Sequence, residues 1–236
     1  MAQVFCPLIP VQVASIYNNK LLPSRMARCT PDTSVALAAV VEDLRSLGHD
    51  LRLSDLFRSY EMQRQAHLDY REGRKTAFSP PPGGSLHEAG RAMDIDLSSM
   101  GVPLKRFWEI AKSHGFFPII DSPNPSRSEA WHFDCRGSHN VVYEYVRKGK
   151  AGSLIPPYTQ MAHSAISSIG VQIDMVPDQT AAFIQAGLIR LGFDPGRIDG
   201  VVGARTLAAM REAEVDPDDP AGSVSSQLKQ RFAAEY

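Results

Sequence analysis

The segment SLHEAGRAMDID, residues 85–96, constrains the fold of this chain more than any other stretch. Its first half is a polar turn that contains His87, and its second half alternates apolar and polar residues as a β-strand does. The alternation directs Met93 and Ile95 to one face of the strand and Asp94 to the other. A strand whose polar face begins beside an imidazole is either the edge of a sheet or one part of a metal site.

Helix and strand signals alternate through the first part of the chain. Apolar spacing, N-terminal capping residues and terminal glycines predict helices over 30–48, 59–73 and 103–115. Short strands are predicted around 51–53, 92–97 and 130–135, and proline-rich loops over 76–85 and 121–128. This pattern predicts an α+β domain over residues 1–148.

The remainder of the chain has a different composition. Residues 149–176 mix glycine, proline and serine, and we interpret them as a linker that is partly helical. Residues 177–236 show short helical patterns separated by glycine turns, with no strand signal. The sequence therefore predicts a second, all-helical domain over 177–236.

Three side chains of the first domain have the chemistry of zinc ligands. A hydrolytic zinc site uses three protein ligands and leaves one position open for water. His87 in its loop, Asp94 on the strand that follows and His132 on a neighbouring strand could face one cleft. Two imidazoles and one carboxylate suit zinc better than magnesium, which prefers oxygen ligands. The spacing alone leaves a structural role open, because each such residue is more often a hydrogen-bonded surface group.

Two further residues have the chemistry that would complete a hydrolytic site. Glu129 is a candidate general base, provided that it lies in the loop before the strand of His132, because strict alternation would place it on the opposite face. Arg58, at the end of the segment LRLSDLFRS, could stabilise an oxyanion or a substrate carboxylate. Trp131 could line a substrate cleft or pack in the core.

Two motifs in this order resemble the zinc D-alanyl-D-alanine carboxypeptidase family, which includes the vancomycin-resistance D,D-peptidases and phage L-alanyl-D-glutamate endopeptidases. The first is S-x-H-x-x-G-x-A-x-D over 85–94, and the second is E-x-W-H over 129–132. The upstream segment FRSYEMQ also resembles the family, and the likeness spans roughly residues 30–145. The glycine- and tryptophan-rich segment of many phage endopeptidases is replaced here, and the E-A-W-H form looks closer to the carboxypeptidase branch. The bond that is cut stays open.

The resemblance implies a small antiparallel sheet flanked by helices and a role for each matching residue. It implies His87, Asp94 and His132 as Zn²⁺ ligands, Glu129 as the base, Arg58 as the cation, and Ser85, Gln63 and Trp131 as substrate-binding residues.

The segment IQAGLIRLGFDPGRIDGVVGARTLAAM, residues 184–210, resembles the three-helix peptidoglycan-binding domain. The matching positions are Gln185, Leu188, Leu191, Gly192, Gly196, Ile198, Asp199, Gly200, Gly203 and Thr206. Arg211, Glu212 and Ala213 stand where that domain has an aromatic-glutamine pair, and this departure weakens the expected affinity for the wall.

Together the two resemblances predict a zinc peptidase that cleaves peptidoglycan stem peptides, as a D-alanyl-D-alanine carboxypeptidase. The alternatives are an L-alanyl-D-glutamate endopeptidase that acts as a lysin and an inactive wall-binding protein.

The formal net charge of −1 disfavours a nucleic-acid partner, and no apolar run is long enough to span a membrane. We expect a monomer that is made in the cytoplasm without a visible signal peptide and reaches the wall after lysis or by specialised export. With three cysteines, a Cys6–Cys29 bridge stays open.

Overall fold

The computed structural model describes residues 8–17, 20–148 and 155–232. Among these residues the chain forms two compact units. The first, called the sheet unit, comprises 8–17, 20–79 and 86–137. The second, called the helical unit, comprises 80–85, 138–148 and 155–232. The domain limits at 148 and 177 stay predictions.

A five-stranded sheet forms the centre of the sheet unit, with the strand order β2-β4-β5-β7-β6. Its strands are β2 (Ala14–Ser15), β4 (Arg52–Asp55), β5 (Ala92–Ile95), β6 (Phe116–Pro118) and β7 (His132–Cys135). The pairs are antiparallel except for β2 and β4, which run parallel. A separate antiparallel pair joins β1 (Ile9–Pro10) and β3 (Arg28–Cys29).

Three helices of the sheet unit begin and end where the sequence predicts. They are α1 (Pro31–Ser46), α2 (Tyr60–Arg71) and α3 (Leu104–Ser113). Each is followed, one residue after its C-cap, by a glycine with positive φ, at positions 48, 73 and 115, a conformation that ends helices at little steric cost. Ser59 caps α2 by accepting a hydrogen bond from the Met62 amide. Leu47 is the C-cap of α1, and its side chain is 45% exposed although the apolar spacing of the helix predicts it on the buried face.

The apolar core of the sheet unit involves both faces of the central strands. Every residue of β5 and β7 is buried. Phe133 of β7 packs edge-to-face on Phe107 of α3, with ring centroids 4.9 Å apart. Trp131 is half-buried against this core. The sheet is thereby covered well enough to hold polar side chains at its strand ends in fixed positions.

The helical unit contains helices and no strand among its described residues. Its helices are α4 (Asn140–Arg147), α5 (Ile155–Ser168), α6 (Gln179–Arg190), α7 (Ala204–Glu212) and α8 (Ala221–Phe232). Helix α5 lies in the segment that the sequence suggests is a linker, and most of its residues are buried. The prediction of an α+β chain with a helical C-terminal part is confirmed.

No helix in the described ranges is both long and apolar enough to cross a membrane. Cys29 and Cys135 are buried free thiols, whereas Cys6 lies outside the described residues.

Candidate metal centre

His87 lies in a short 3-10 helix, Leu86–Ala89, that leads into β5. Its Nδ1 is 2.9 Å from the carbonyl oxygen of Leu56. A carbonyl only accepts hydrogen bonds, so Nδ1 carries the proton and the lone pair of the neutral ring is on Nε2. Gly90 ends this turn with φ +62°, and a Cβ there would lie 2.9 Å from the Cα of Cys29. The spacing H-x-x-G is therefore a steric requirement of the turn that positions the imidazole.

Strand pairing brings Asp94 and His132 together. Asp94 of β5 lies directly opposite His132 of β7 in the antiparallel register, and directly opposite pairs have adjacent side chains. Asp94 Oδ1 is 3.0 Å from His132 Nδ1 and 3.2 Å from His87 Nε2. The ligand atoms of the three residues lie within 4.8 Å of one another, and all three side chains are buried.

Asp134 sets the orientation of His132. These residues share one face of β7, and His132 Nε2 is 2.8 Å from Asp134 Oδ1. When Asp134 is ionised, Nε2 is the donor, which leaves the lone pair of a neutral His132 on Nδ1. The neutral tautomers of both histidines thus direct lone pairs toward Asp94 Oδ1. A cation between these three electron donors would stabilise the arrangement. A carboxylate that accepts a hydrogen bond from the other nitrogen of a metal-binding histidine, as Asp134 does here, commonly fixes the orientation of the ring.

The electrostatics of the cluster show how strongly these groups interact. Burial alone would raise the pKa of Asp94, but the charge of His87 and hydrogen bonding from His132 hold this pKa well below its usual range. Burial would lower the pKa of His132, but Asp134 and then Asp94 raise it to about 10. In the absence of a cation, a proton on His132 takes the place that the cation would occupy between the carboxylates.

Glu129 lies in the turn before β7, as its proposed role requires. Its backbone has φ 68°, in the left-handed region that non-glycine residues adopt infrequently. The carbonyl of Glu129 accepts a hydrogen bond from the His132 amide at 3.0 Å, so the turn is closed on the candidate ligand itself. Burial raises the pKa of Glu129, and the charge of His132 opposes this. A half-buried carboxylate with a raised pKa is suited to accept and return a proton.

Arg58 follows β4 and is held by three side chains. Its Nε donates to Asp55 Oδ2 at 2.5 Å, its Nη1 to Gln63 Oε1 at 3.3 Å and its Nη2 to Asp94 Oδ2 at 3.3 Å. Arg58 therefore binds the oxygen of Asp94 that does not face the histidines. This arrangement leaves Asp94 Oδ1 directed at the cluster.

The three residues predicted to bind substrate have different surroundings. Gln63 is fully buried, and its Nε2 donates to Ser79 Oγ at 3.2 Å while its Oε1 accepts from Arg58. Ser85 is buried and directly precedes the 3-10 helix of His87. Trp131 is half-buried beside Glu129 in the chain. Their contact with substrate stays a prediction.

Asp55 supports Arg58 and was not identified in the sequence. It precedes Arg58 by three residues, which is a signal that an ion-pair search would find. Its place opposite Asp94 depends on a register irregularity between Leu53 and Asp55, which the sequence does not reveal. Asp96, by contrast, accepts hydrogen bonds from the amide and hydroxyl of Ser98 in an exposed turn.

The helical unit has a buried polar network of its own, centred on Gln185. Gln185 Oε1 accepts from the amides of Asp199 and Gly200, at 3.0 and 2.9 Å. Its Nε2 donates to Asp199 Oδ1, the Val201 carbonyl and Thr206 Oγ1. Gln185, Asp199, Gly200 and Thr206, which match the peptidoglycan-binding motif, therefore fix the loop before α7 by hydrogen bonds.

Comparisons with known proteins identify similar structures only. No family matches the sequence, and no curated protein matches it. One similar structure is the LdcB LD-carboxypeptidase, studied for its recognition of peptidoglycan: identity is 17%, the TM-score is 0.43, and the match covers 64% of this chain and 76% of that chain. Another is the L,D-carboxypeptidase DacB from Streptococcus pneumoniae, with 18% identity, a TM-score of 0.35, and coverage of 55% and 84%. A third is a Zn(II) complex of a mutant of the vancomycin resistance D,D-pentapeptidase VanY, with 16% identity, a TM-score of 0.37, and coverage of 60% and 90%.

Proposed function

We propose that this protein is a zinc-dependent peptidase that hydrolyses peptide bonds in peptidoglycan stem peptides, as a D-alanyl-D-alanine carboxypeptidase. The observation that carries the proposal is the convergence of His87 Nε2, Asp94 Oδ1 and His132 Nδ1 on one buried point. Glu129 lies in the adjacent turn. The order and spacing of these residues match the two motifs of the zinc carboxypeptidase family.

The donor set fits zinc. His87, Asp94 and His132 would hold the ion as two imidazoles and one carboxylate, a donor set that leaves room for water or substrate in zinc enzymes. The local charge also favours a divalent cation, since Asp94 and Asp134 both contact His132 and Glu129 is affected by the charges of this cluster, while the charge of Arg58 is shared between Asp55 and Asp94. A zinc ion held there would supply positive charge that polarises a peptide carbonyl and acidifies water.

Glu129 and Arg58 would carry the remaining chemistry. Glu129 accepts one proton from the attacking water as the new C–O bond forms, and returns it to the leaving nitrogen as the C–N bond breaks. The raised pKa of Glu129 suits both transfers. Arg58 contributes a fixed positive charge beside Asp94, where it can stabilise a developing oxyanion or a substrate carboxylate.

We further propose that the helical unit binds peptidoglycan. The support is the Gln185 network, which shapes the loop through Asp199, Gly200 and Thr206, the positions that match the wall-binding motif. Binding to the insoluble polymer would keep the peptidase at high local concentration near its substrate.

Digestion of purified cell walls tests the proposed activity. The zinc-loaded protein should release terminal D-alanine, identified by mass spectrometry, and a chelator should abolish release until zinc is restored. Glu129→Gln should lower turnover about 10²–10⁴-fold with zinc still bound. Glu109→Gln on the exposed face of α3 is the matched control and should behave as wild type.

Other digestion products would change the proposal in defined ways. Fragments cut between L-alanine and D-glutamate would replace the carboxypeptidase with an endopeptidase. Zinc-loaded protein that binds walls but releases nothing would reduce it to a wall-binding protein.

A further inference from the structure

An exposed pair of aromatic rings joins the helix of Gln63 to the loop that follows it. Tyr70, in the last turn of α2, contacts Phe78 edge-to-face, with ring centroids 5.3 Å apart and planes at 81°. Phe78 is 60% exposed and Tyr70 36% exposed. Aromatic rings that remain exposed contribute little to the apolar core of the unit. Exposed aromatic pairs are more typical of surfaces that bind a partner.

Hydrogen bonds fix this pair relative to the candidate metal centre. Ser79, which follows Phe78, is fully buried and is held to α2 at two points. Its hydroxyl accepts from Gln63 Nε2, and its carbonyl oxygen lies 2.8 Å from His67 Nδ1, one turn further along the helix. Gln63 in turn contacts Arg58, and Arg58 contacts Asp94. The exposed rings are therefore attached to the site through a continuous set of side chains.

We infer that the Tyr70–Phe78 pair is a subsite for the sugar to which the stem peptide is attached. This inference rests on the proposed function and specifies the substrate beyond its peptide. An aromatic face suits the apolar C–H face of a pyranose ring. Beside Tyr70, Asp69 is bonded to Arg74 and Gln65, and these partly exposed polar groups can bond sugar hydroxyls. The exposed Phe78 ring with polar groups nearby offers both an apolar face and hydrogen-bonding groups, as a sugar ring requires.

Helix geometry sets the spacing between the aromatic pair and Gln63. Tyr70 is seven residues beyond Gln63 on α2, which is about 10 Å along the helix axis. An extended peptide covers about 10 Å in three residues. Gln63 is joined to the candidate ligand Asp94 through Arg58, so a substrate bound at the candidate ligands would extend past Gln63 by about this length to reach the rings. A free peptide that ends before this point would not reach the rings.

Kinetics with two soluble substrates test the inference. One is a stem pentapeptide, and the other is the same pentapeptide attached to its sugar. We expect Phe78→Ala to raise KM for the sugar-linked substrate about three- to tenfold, to change KM for the free peptide less than twofold, and to leave kcat unchanged. Phe78→Trp should retain the low KM. Val35→Ala, at a 73% exposed position on α1, is the matched control and should alter neither substrate.

Three results have distinct meanings. An equal rise of KM for both substrates would overturn the inference in favour of a peptide contact, and no rise for either would also overturn it. If wild type cleaves neither substrate, the proposed function fails on its own. Calorimetric titration of Glu129→Gln with both compounds then decides the subsite: a sugar-dependent gain in affinity that Phe78→Ala removes supports it, and its absence refutes it.

Discussion

One buried polar cluster in each unit shows two opposite ways of satisfying polar groups. Around Gln185 in the helical unit, each donor faces an acceptor, and the amide forms hydrogen bonds at both of its ends. In the sheet unit, lone pairs of His87 and His132 point toward the same oxygen of Asp94. Matched groups stabilise a loop without a ligand, whereas convergent acceptors need a positive charge.

This difference separates a structural polar network from a functional one without reference to any motif. Burying acceptors that converge on one point costs free energy unless a proton or a cation lies between them, so a chain that retains them has a use for the point where they meet. The Gln185 network should therefore respond to mutation through stability, and the histidine cluster through metal binding.

The largest effect is expected when a convergent acceptor is removed. His132→Ala should reduce bound zinc to below about a tenth of an equivalent and abolish hydrolysis, because two ligands hold zinc far more weakly than three. Metal analysis after dialysis measures this directly. His114→Ala removes a partly exposed histidine that pairs with Asp43 and is the matched control. Full zinc occupancy in His132→Ala would show that the ligand set is wrong.

Gln185→Ala should affect stability and leave the metal untouched. It deprives the amides of Asp199 and Gly200 and the Val201 carbonyl of their partners. Gly200 is buried, whereas Asp199 and Val201 are exposed and water can replace their lost partner, so the expected loss is about 1–2 kcal/mol. Urea unfolding and amide exchange at Asp199 and Gly200 measure it. Gln160→Ala on α5 is the comparison, because Gln160 is a half-buried glutamine that bonds the amide and the carbonyl of Ile198. Reduced zinc affinity in Gln185→Ala would contradict a purely structural role for the Gln185 network.

The convergence of the candidate ligands could be predicted from the sequence because it depends on local rules. Alternation fixes the face of Asp94 and His132, and the position of Gly90 fixes the turn of His87. For Glu129, the sequence indicates only that it must lie in the loop before the strand of His132 if it is to act as the base. Whether a glutamate adopts φ 68° depends on the closure of its turn onto His132, which sequence patterns do not encode.

Other parts of the fold depend on context that is not local. The segment of helix α5 is interpreted from the sequence as a partly helical linker because of Pro156, Pro157 and its serines. Both prolines lie in the first turn, where the missing N–H costs nothing, and the hydroxyls of Ser167 and Ser168 bond back to the Ser164 carbonyl. Strand β6 is only three residues long and is defined by its pairing with β7, which sequence periodicity cannot detect.

His163 on α5 belongs neither to a matched hydrogen-bond network nor to a set of convergent acceptors. Its predicted effect is confined to the pH dependence of stability. It is 3% exposed, and neither ring nitrogen has a hydrogen-bond partner within the described part of the chain. Burial lowers its pKa to about 4, and the backbone of Ile198 opposes this only in part. Between pH 4 and 6.5 the unfolded chain therefore binds a proton that the folded chain does not. Stability should fall as the pH decreases through this window.

The contribution of His163 is about 2 kcal/mol between pH 7 and pH 5. Urea unfolding at the two pH values measures it as the difference between wild type and His163→Leu, which has similar volume and no charge to bury. The leucine variant should lose that part of the pH dependence, while the parts due to other groups persist in both proteins. Equal slopes in the two proteins would mean that His163 is protonated equally in the folded and unfolded states, and that its ring has a partner that burial and geometry do not suggest.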